Sequence, residues 1–351
     1  MSSSRRLHHF QRPAMHEVLE GMAAYCREHD AAFDFYGKGP LLEEFEARIA
    51  SMLGMEAGLV LPSGTMAQLV ALRIYAERAK SQHIGMHPTS HVELHEHRAY
   101  SHLHNLRATL VGPVQSPMLA EHVQACPEPL AALLIELPIR EAGGQLPTWE
   151  ELEELKRVTA ARGVPLHIDG ARLWETRGFY DNRPYHEIVR GASSVYVSLY
   201  KGLGGFGGAV LAGSRDFVEQ ARIWRKRHGG GLVHLAPFVV STAAMMEQRL
   251  EELPLCYQRA VEIAEVVSKL PRISIVPNPP HINMMHIHLT VPWEHVHRIH
   301  QQRMESEEEL LLLPKFRATP TGCMAELYVG DSALSISLDE VKDAFQELVE
   351  L

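Results

Sequence analysis

The chain predicts an α/β fold: a mainly parallel sheet with helices on both faces, followed by a smaller C-terminal α+β domain. Three observations predict it. Short apolar runs alternate with helical periods from residue 57 to residue 212, the pattern of strand–helix–strand units. The segment Pro277-Asn-Pro-Pro280 then breaks that pattern. The length, 351 residues, suits one large domain plus a smaller one. The expected division is an N-terminal helical arm over 1–30, a large domain over 31–245 and a small one over 246–351.

Taken in order, residues 13–30 read as an amphipathic helix through Met15, Val18, Leu19, Met22 and Tyr25. Residues 41–53 form a second, followed by a strand at 57–61, and Ser63-Gly-Thr opens a helix that runs through residue 79. Strands follow near 83–86, 108–111 and 131–137, then a helix at 148–161, then strands at 165–168, 194–199 and 208–212. Helices at 214–228 and 235–270 come next, the second long enough to connect domains. After the proline segment come a strand at 282–290, a helix near 293–303, two short strands and a final helix at 338–350. There is no internal repeat and no low-complexity tract.

Composition narrows the function. The chain is 46% hydrophobic and 22% charged, ordinary for a globular protein. A formal net charge of −9 and a pI near 6.2 argue against nucleic-acid binding. No apolar stretch approaches the length of a membrane span. The first residues, Met1-Ser-Ser-Ser-Arg-Arg-Leu-His-His, lack the apolar core of a signal peptide. Cys26, Cys126, Cys256 and Cys323 are scattered without metal-type spacing, so a cytoplasmic protein with free thiols is expected. Only the count of 22 histidines is unusual.

The stretch Ser198-Leu-Tyr-Lys-Gly-Leu-Gly-Gly-Phe-Gly-Gly208 carries the most chemistry. Lys201 follows an apolar run from Val195 to Leu199, where burying an ammonium is costly unless something uses it. Five glycines then allow the backbone to approach something bulky. A snorkelling lysine would need no such run. Because the lysine precedes the glycines, the motif is not a Walker loop. About thirty residues upstream, one strand–helix–strand unit away, Pro165-Leu-His-Ile-Asp-Gly-Ala-Arg172 ends a second apolar run on Asp169. Ligands of open parallel sheets bind at such strand ends. A lysine that forms a Schiff base and an acid that holds a pyridinium nitrogen are what pyridoxal 5′-phosphate requires of a protein. Asp169 read alone is a turn residue or a helix cap. Arg172 could grip a substrate carboxylate with both nitrogens or be a solvated helix charge.

Pro62-Ser-Gly-Thr-Met-Ala67 lies between a strand and a helix. Helix-terminal amides with the hydroxyls of Ser63 and Thr65 make an anion site for the cofactor phosphate; the plainer reading is a helix N-cap. The block His91-Val-Glu-Leu-His-Glu-His-Arg-Ala-Tyr-Ser-His-Leu-His104 admits three readings. If helical, the pairs His91/His95 and Glu93/His97 could ligate zinc. Alternatively His91 stacks on the pyridine ring while Glu96 and a water handle protons. The third reading is a polar, partly exposed helix start. Crowding of the ligands on one short segment disfavours zinc, and no metal is expected. Arg225-Lys-Arg-His-Gly-Gly-Gly231 could meet the phosphate or a neighbouring subunit, or be a charged helix end with a glycine stop.

In order, "LPSGTMAQ", "HVELHE", "HIDGARLWE", "SLYKGLGGFGGAVLAGS" and "RKRHGGGL" resemble the threonine aldolase/β-eliminating lyase family of fold-type I pyridoxal phosphate enzymes. The resemblance covers residues 30–245 well and the rest weakly. It implies Lys201 as the Schiff-base lysine, Asp169 as partner of the ring nitrogen and His91 stacked over the ring with Glu96 nearby. It also implies Ser63, Gly64 and Thr65 at the phosphate with Lys226 assisting, Ser198 beside the cofactor, and Arg172 on the amino-acid carboxylate. Such enzymes split β-hydroxy-α-amino acids into glycine and an aldehyde, as dimers or dimers of dimers with sites at the subunit interface. β-Elimination, racemisation and transamination on the same scaffold, or a non-catalytic relative, remain alternatives.

The chain departs from the family at several positions. Arg6-Leu-His-His-Phe-Gln-Arg12 replaces an Arg-Ser-Asp-Thr-Val-Thr segment, and Glu136-Leu-Pro138 replaces an acid-Asn-Thr triplet. In Ala325-Glu-Leu-Tyr-Val329, Glu326 stands where the family places a carboxylate-binding arginine. Arg317 could substitute, or the substrate could carry a basic group. Tyr200 replaces a small residue before the lysine, and Val233 or His234 stands where a phosphate-binding arginine is expected.

Overall fold

The computed structural model describes residues 6–8, 10, 13–305, 310, 312–313 and 315–350. Of the segment that replaces the family's first motif, His9, Gln11 and Arg12 lie outside the described residues. The strands are β1 (Ala57–Leu61), β2 (His83–Met86), β3 (Arg107–Leu110), β4 (Ala132–Glu136), β5 (Leu166–Gly170), β6 (Ser194–Ser198), β7 (Ala209–Gly213), β8 (Ile273–Val276), β9 (Met284–Leu289), β10 (Arg317–Thr319) and β11 (Gly322–Tyr328). The helices are α1 (Met15–Glu28), α2 (Pro40–Met52), α3 (Gly64–Ala79), α4 (His91–Leu94), α5 (Ala99–His104), α6 (Ala120–Ala125), α7 (Trp149–Ala161), α8 (Tyr185–Ile188), α9 (Arg215–Arg227), α10 (Ala236–Val267), α11 (Trp293–Glu305) and α12 (Leu338–Val349).

Seven strands form one sheet in the order β1-β7-β6-β5-β4-β2-β3. The pairs from β6 through β3 are parallel, and β7 runs antiparallel to both its neighbours. β4, β5, β6 and β7 are buried along their whole length, as a sheet covered on both faces requires. Leu59, Leu61, Leu72, Ile74, Met86 and Leu134 belong to the core between this sheet and α3. Ser63 starts α3: its hydroxyl accepts from the Met66 amide at 3.2 Å. Thr148 starts α7 with a capping box, exchanging hydrogen bonds with Glu151.

Two compact units emerge. One comprises 14–141 and 146–250; the other comprises 1–13, 142–145 and 251–351. The second unit holds the antiparallel sheet β10-β11-β9-β8. Its core gathers Met285, Ile287, Leu327, Phe345 and Leu348, with Ala260, Ile263 and Val267 from the C-terminal half of α10. Leu7 is fully buried in the same core. No helix among the described residues is long and apolar enough to cross a membrane.

Candidate active site

Parallel strands β4, β5 and β6 lie side by side, so their carboxyl ends share one edge. Glu136 pairs in register with Asp169, and β6 ends at Ser198, three residues before Lys201. There a small cavity of about 80 Å³ opens. Ser63, Gly64, Thr65, His91, Glu96, Asp169, Arg172 and Lys201 line it together.

The chain turn that delivers Lys201 is fixed by Ser198. Its buried Oγ accepts from the Tyr200 and Lys201 amides at 3.3 and 3.2 Å. Burial lowers the Lys201 amine to about 8; Arg172 adds to the effect, while Asp169, Glu175 and Glu136 oppose it. A neutral amine is what bonding to an aldehyde needs. Asp169 is 5% exposed, and its Oδ1 accepts from the Ala171 amide at 3.0 Å. Burial raises its carboxyl, against the pull of Lys201.

His91 opens α4, with Nδ1 3.0 Å from Glu96 Oε1. Glu96 Oε2 is buried without a hydrogen-bond partner among the described residues, so this carboxylate has capacity to spare inside the cavity. The histidine block is not one helix. α4 ends at Leu94, and His97 and Arg98 take positive φ before α5 begins. His91 and His95 still share one helical turn, with ring centroids 5.2 Å apart, but each imidazole is paired with a carboxylate, His91 with Glu96 and His95 with Glu141 at 2.9 Å, and Glu93 pairs with Arg98 and the Tyr100 hydroxyl.

Two expected site residues stand apart from the cavity. Ser198 holds the turn beneath the lysine rather than lining the cavity. Lys226 is exposed on α9, beside a separate surface hollow with Glu219, Arg222, Ile223 and Arg227. Arg225 next to it is buried and donates to the Val60 carbonyl at 2.9 Å.

The bulky object that the glycines after Lys201 approach is α10. A Cβ at Gly205 would lie 2.2 Å from Thr242 Oγ1, and one at Gly208 would lie 3.1 Å from Phe238 Cβ. The run lets the lysine turn seat on that helix.

Sequence reasoning passed over Tyr196 and Arg140 and treated Glu136, Pro138 and Tyr200 only as departures; all five line the cavity. Tyr196 sits inside an apolar run and reads as core. Glu136 ends a buried strand on an acid, the signal that singled out Asp169.

These residues fit pyridoxal 5′-phosphate. An amine near neutrality faces a buried carboxylate, the N-terminus of the 16-residue α3 offers amides to a phosphate, and an imidazole borders the space between.

The family model for β-eliminating lyases matches residues 13–290. Low-specificity L-threonine aldolase 1 of Arabidopsis thaliana is 29% identical over 252 residues, 69% of this chain and 70% of that protein. The low specificity L-threonine aldolase of Escherichia coli K12 is 31% identical over 205 residues, 57% of this chain and 60% of that protein. A crystal structure from Exiguobacterium sp. 255-15, provisionally named an aromatic amino acid β-eliminating lyase/threonine aldolase, is 34% identical. It covers 99% of this chain and 96% of its own, with a TM-score of 0.92. Leishmania major threonine aldolase, at 16% identity and a TM-score of 0.75, shares the fold.

Proposed function

Because the chain belongs to the β-eliminating lyase family of fold-type I enzymes, whose cofactor is pyridoxal 5′-phosphate, we propose that it is a carbon–carbon lyase. Its substrate is a β-hydroxy-α-amino acid of the threonine type, cleaved to glycine and an aldehyde. The observation that carries this reading is the convergence of Lys201, Asp169, His91 and Arg172 on one cavity at the ends of β4, β5 and β6. Relatives named threonine aldolases point to the same reaction.

Each side chain has a task. Lys201 would hold the cofactor aldehyde through its amine. Asp169 would keep the pyridine nitrogen protonated. Arg172 binds the substrate carboxylate. His91 takes the β-hydroxyl proton, and buried Glu96 stabilises the imidazolium that results. The cofactor supplies an electron sink for the pair left on Cα when the Cα–Cβ bond breaks. Return of a proton to Cα completes glycine.

The Ser63 hydroxyl caps α3, and Gly64 and Thr65 with the helix amides would hold the cofactor phosphate. A homodimer or homotetramer is the further expectation from the family. Phe33, Phe35, Tyr36 and Val233, all exposed, supply an apolar surface for it, and light scattering tests it.

The test is glycine and aldehyde release from threonine, allo-threonine and phenylserine in both enantiomers. Release from one stereochemical series supports the reading. A cofactor-loaded protein that releases neither product from any of them overturns it.

A further inference from the structure

Glu136 has no part in the roles assigned above, yet it lies at the centre of the site. It ends β4 directly beside Asp169 on β5, in parallel register, so the two carboxyls leave neighbouring strands about 4.8 Å apart on one face. It is 6% exposed and lines the same cavity. Its Oε1 accepts a hydrogen bond from the backbone amide of His91, the first residue of α4. The charged groups around it are Asp169 on β5, Arg172 just beyond it, Lys201 beyond β6, His91 and Glu96 around α4, and Arg140 on the turn after β4. Burial and then Asp169 push the Glu136 carboxyl up to about 8, against the His91 amide, Lys201 and Arg172. Two adjacent buried carboxyls do not both ionise cheaply. At Asp169 burial also raises the carboxyl, and Lys201 is the largest influence against it, followed by the Ala171 amide.

We propose that Glu136 is a positioning residue, a proton-bearing carboxyl that anchors His91 through its backbone and reserves the negative charge of the paired strand ends for Asp169. This rests on the assignment of Asp169 to the ring nitrogen. A neutral acid meets both demands at once: its carbonyl oxygen accepts from the His91 amide, and it adds no second negative charge beside Asp169.

The test compares Glu136→Gln, which keeps the acceptor and cannot ionise, with Glu136→Leu, which loses both. Denaturant unfolding of the cofactor-free full chain is measured from pH 5 to pH 9. A carboxyl whose folded value lies above its unfolded one contributes stability at low pH that is lost as pH rises toward the folded value. The folding equilibrium of the parent should therefore fall relative to Glu136→Gln by about tenfold per pH unit between pH 5 and 8, and level off above 8. Parallel profiles for the two proteins would overturn the proposal.

With cofactor and substrate, Glu136→Leu should lower kcat at least tenfold and Glu136→Gln should recover most of that loss. A glutamine variant as impaired as the leucine variant would mean that a carboxylate is required, and the proposal fails. Should Glu136→Gln not fold, Asp169→Asn provides the second arm. Removing the neighbouring charge should move the point where the parent profile levels off to lower pH, and an unmoved point counts against the proposal. The unfolding measurements need no substrate. A chain that binds cofactor but cleaves no β-hydroxy amino acid would refute the aldolase reading and leave these results standing.

Discussion

Gly64→Ala tests how tightly the phosphate end of the cavity is built. Gly64 is the first residue of α3, and a Cβ there would lie 2.0 Å from Tyr196 Oη, 2.5 Å from its Cζ and 3.1 Å from its Cε2. Non-bonded heavy atoms settle near 3.5 Å, so ring or helix must move by about 1.5 Å. Tyr196 cannot swing into solvent: it is 3% exposed, in the middle of β6 within the core that holds Leu59 and Leu211. Overpacking of this kind costs about 1–3 kcal/mol. Better helix propensity returns less than about 1 kcal/mol of it. A net loss of about 1–2 kcal/mol is expected in denaturant unfolding, with weaker cofactor binding because both residues line the cavity. Adding Tyr196→Phe removes the 2.0 Å contact but leaves the 2.5 Å one, so the double variant should regain only part of the loss. A Gly64→Ala protein as stable as the parent, with unchanged cofactor affinity, would refute this reasoning.

Three further outcomes are expected. Lys201→Ala should leave no cofactor adduct after borohydride reduction and peptide mass analysis; an adduct on another lysine would move the assignment. Asp169→Asn should retain bound cofactor yet lose most activity, and a fully active variant would remove Asp169 from the mechanism. His167, buried between Ser194 Oγ and Gln68 Oε1, is lowered by burial to about 3. Its folded value lies below the unfolded one of about 6.5, so its stabilisation is complete above pH 6.5 and is lost as pH falls toward 3. Between pH 7 and pH 5 that loss is about 2 kcal/mol, and it should shrink in His167→Gln; an identical pH dependence in parent and variant would show that His167 does not set it.

Much of this molecule was legible in the chain because its strands announce themselves. The expected runs at 57–61, 83–86, 194–199 and 208–212 lie on β1, β2, β6 and β7, and Asp169 and Lys201 follow from polar residues placed where apolar runs stop. What stayed hidden depends on neighbours distant in sequence. The glycines after Lys201 advertise close approach without saying to what, and the answer, Thr242 and Phe238, lies on α10, far along the chain. Tyr196 turns from core residue to cavity wall only once α3 is laid across β6. The histidine block fails as a helix because His97 and Arg98 adopt left-handed backbone, which side-chain periodicity does not reveal.

The seat of the lysine turn on α10 also sets an order of assembly. β6 and the lysine are synthesised before α10, whose first turn begins at Ala236. A nascent chain that has just released β7 carries the pairing partners of its strands, but nothing yet occupies the space against Gly205 and Gly208. The local turn held by Ser198 can form from residues already made, whereas its packing against Thr242 and Phe238 waits for a helix synthesised later.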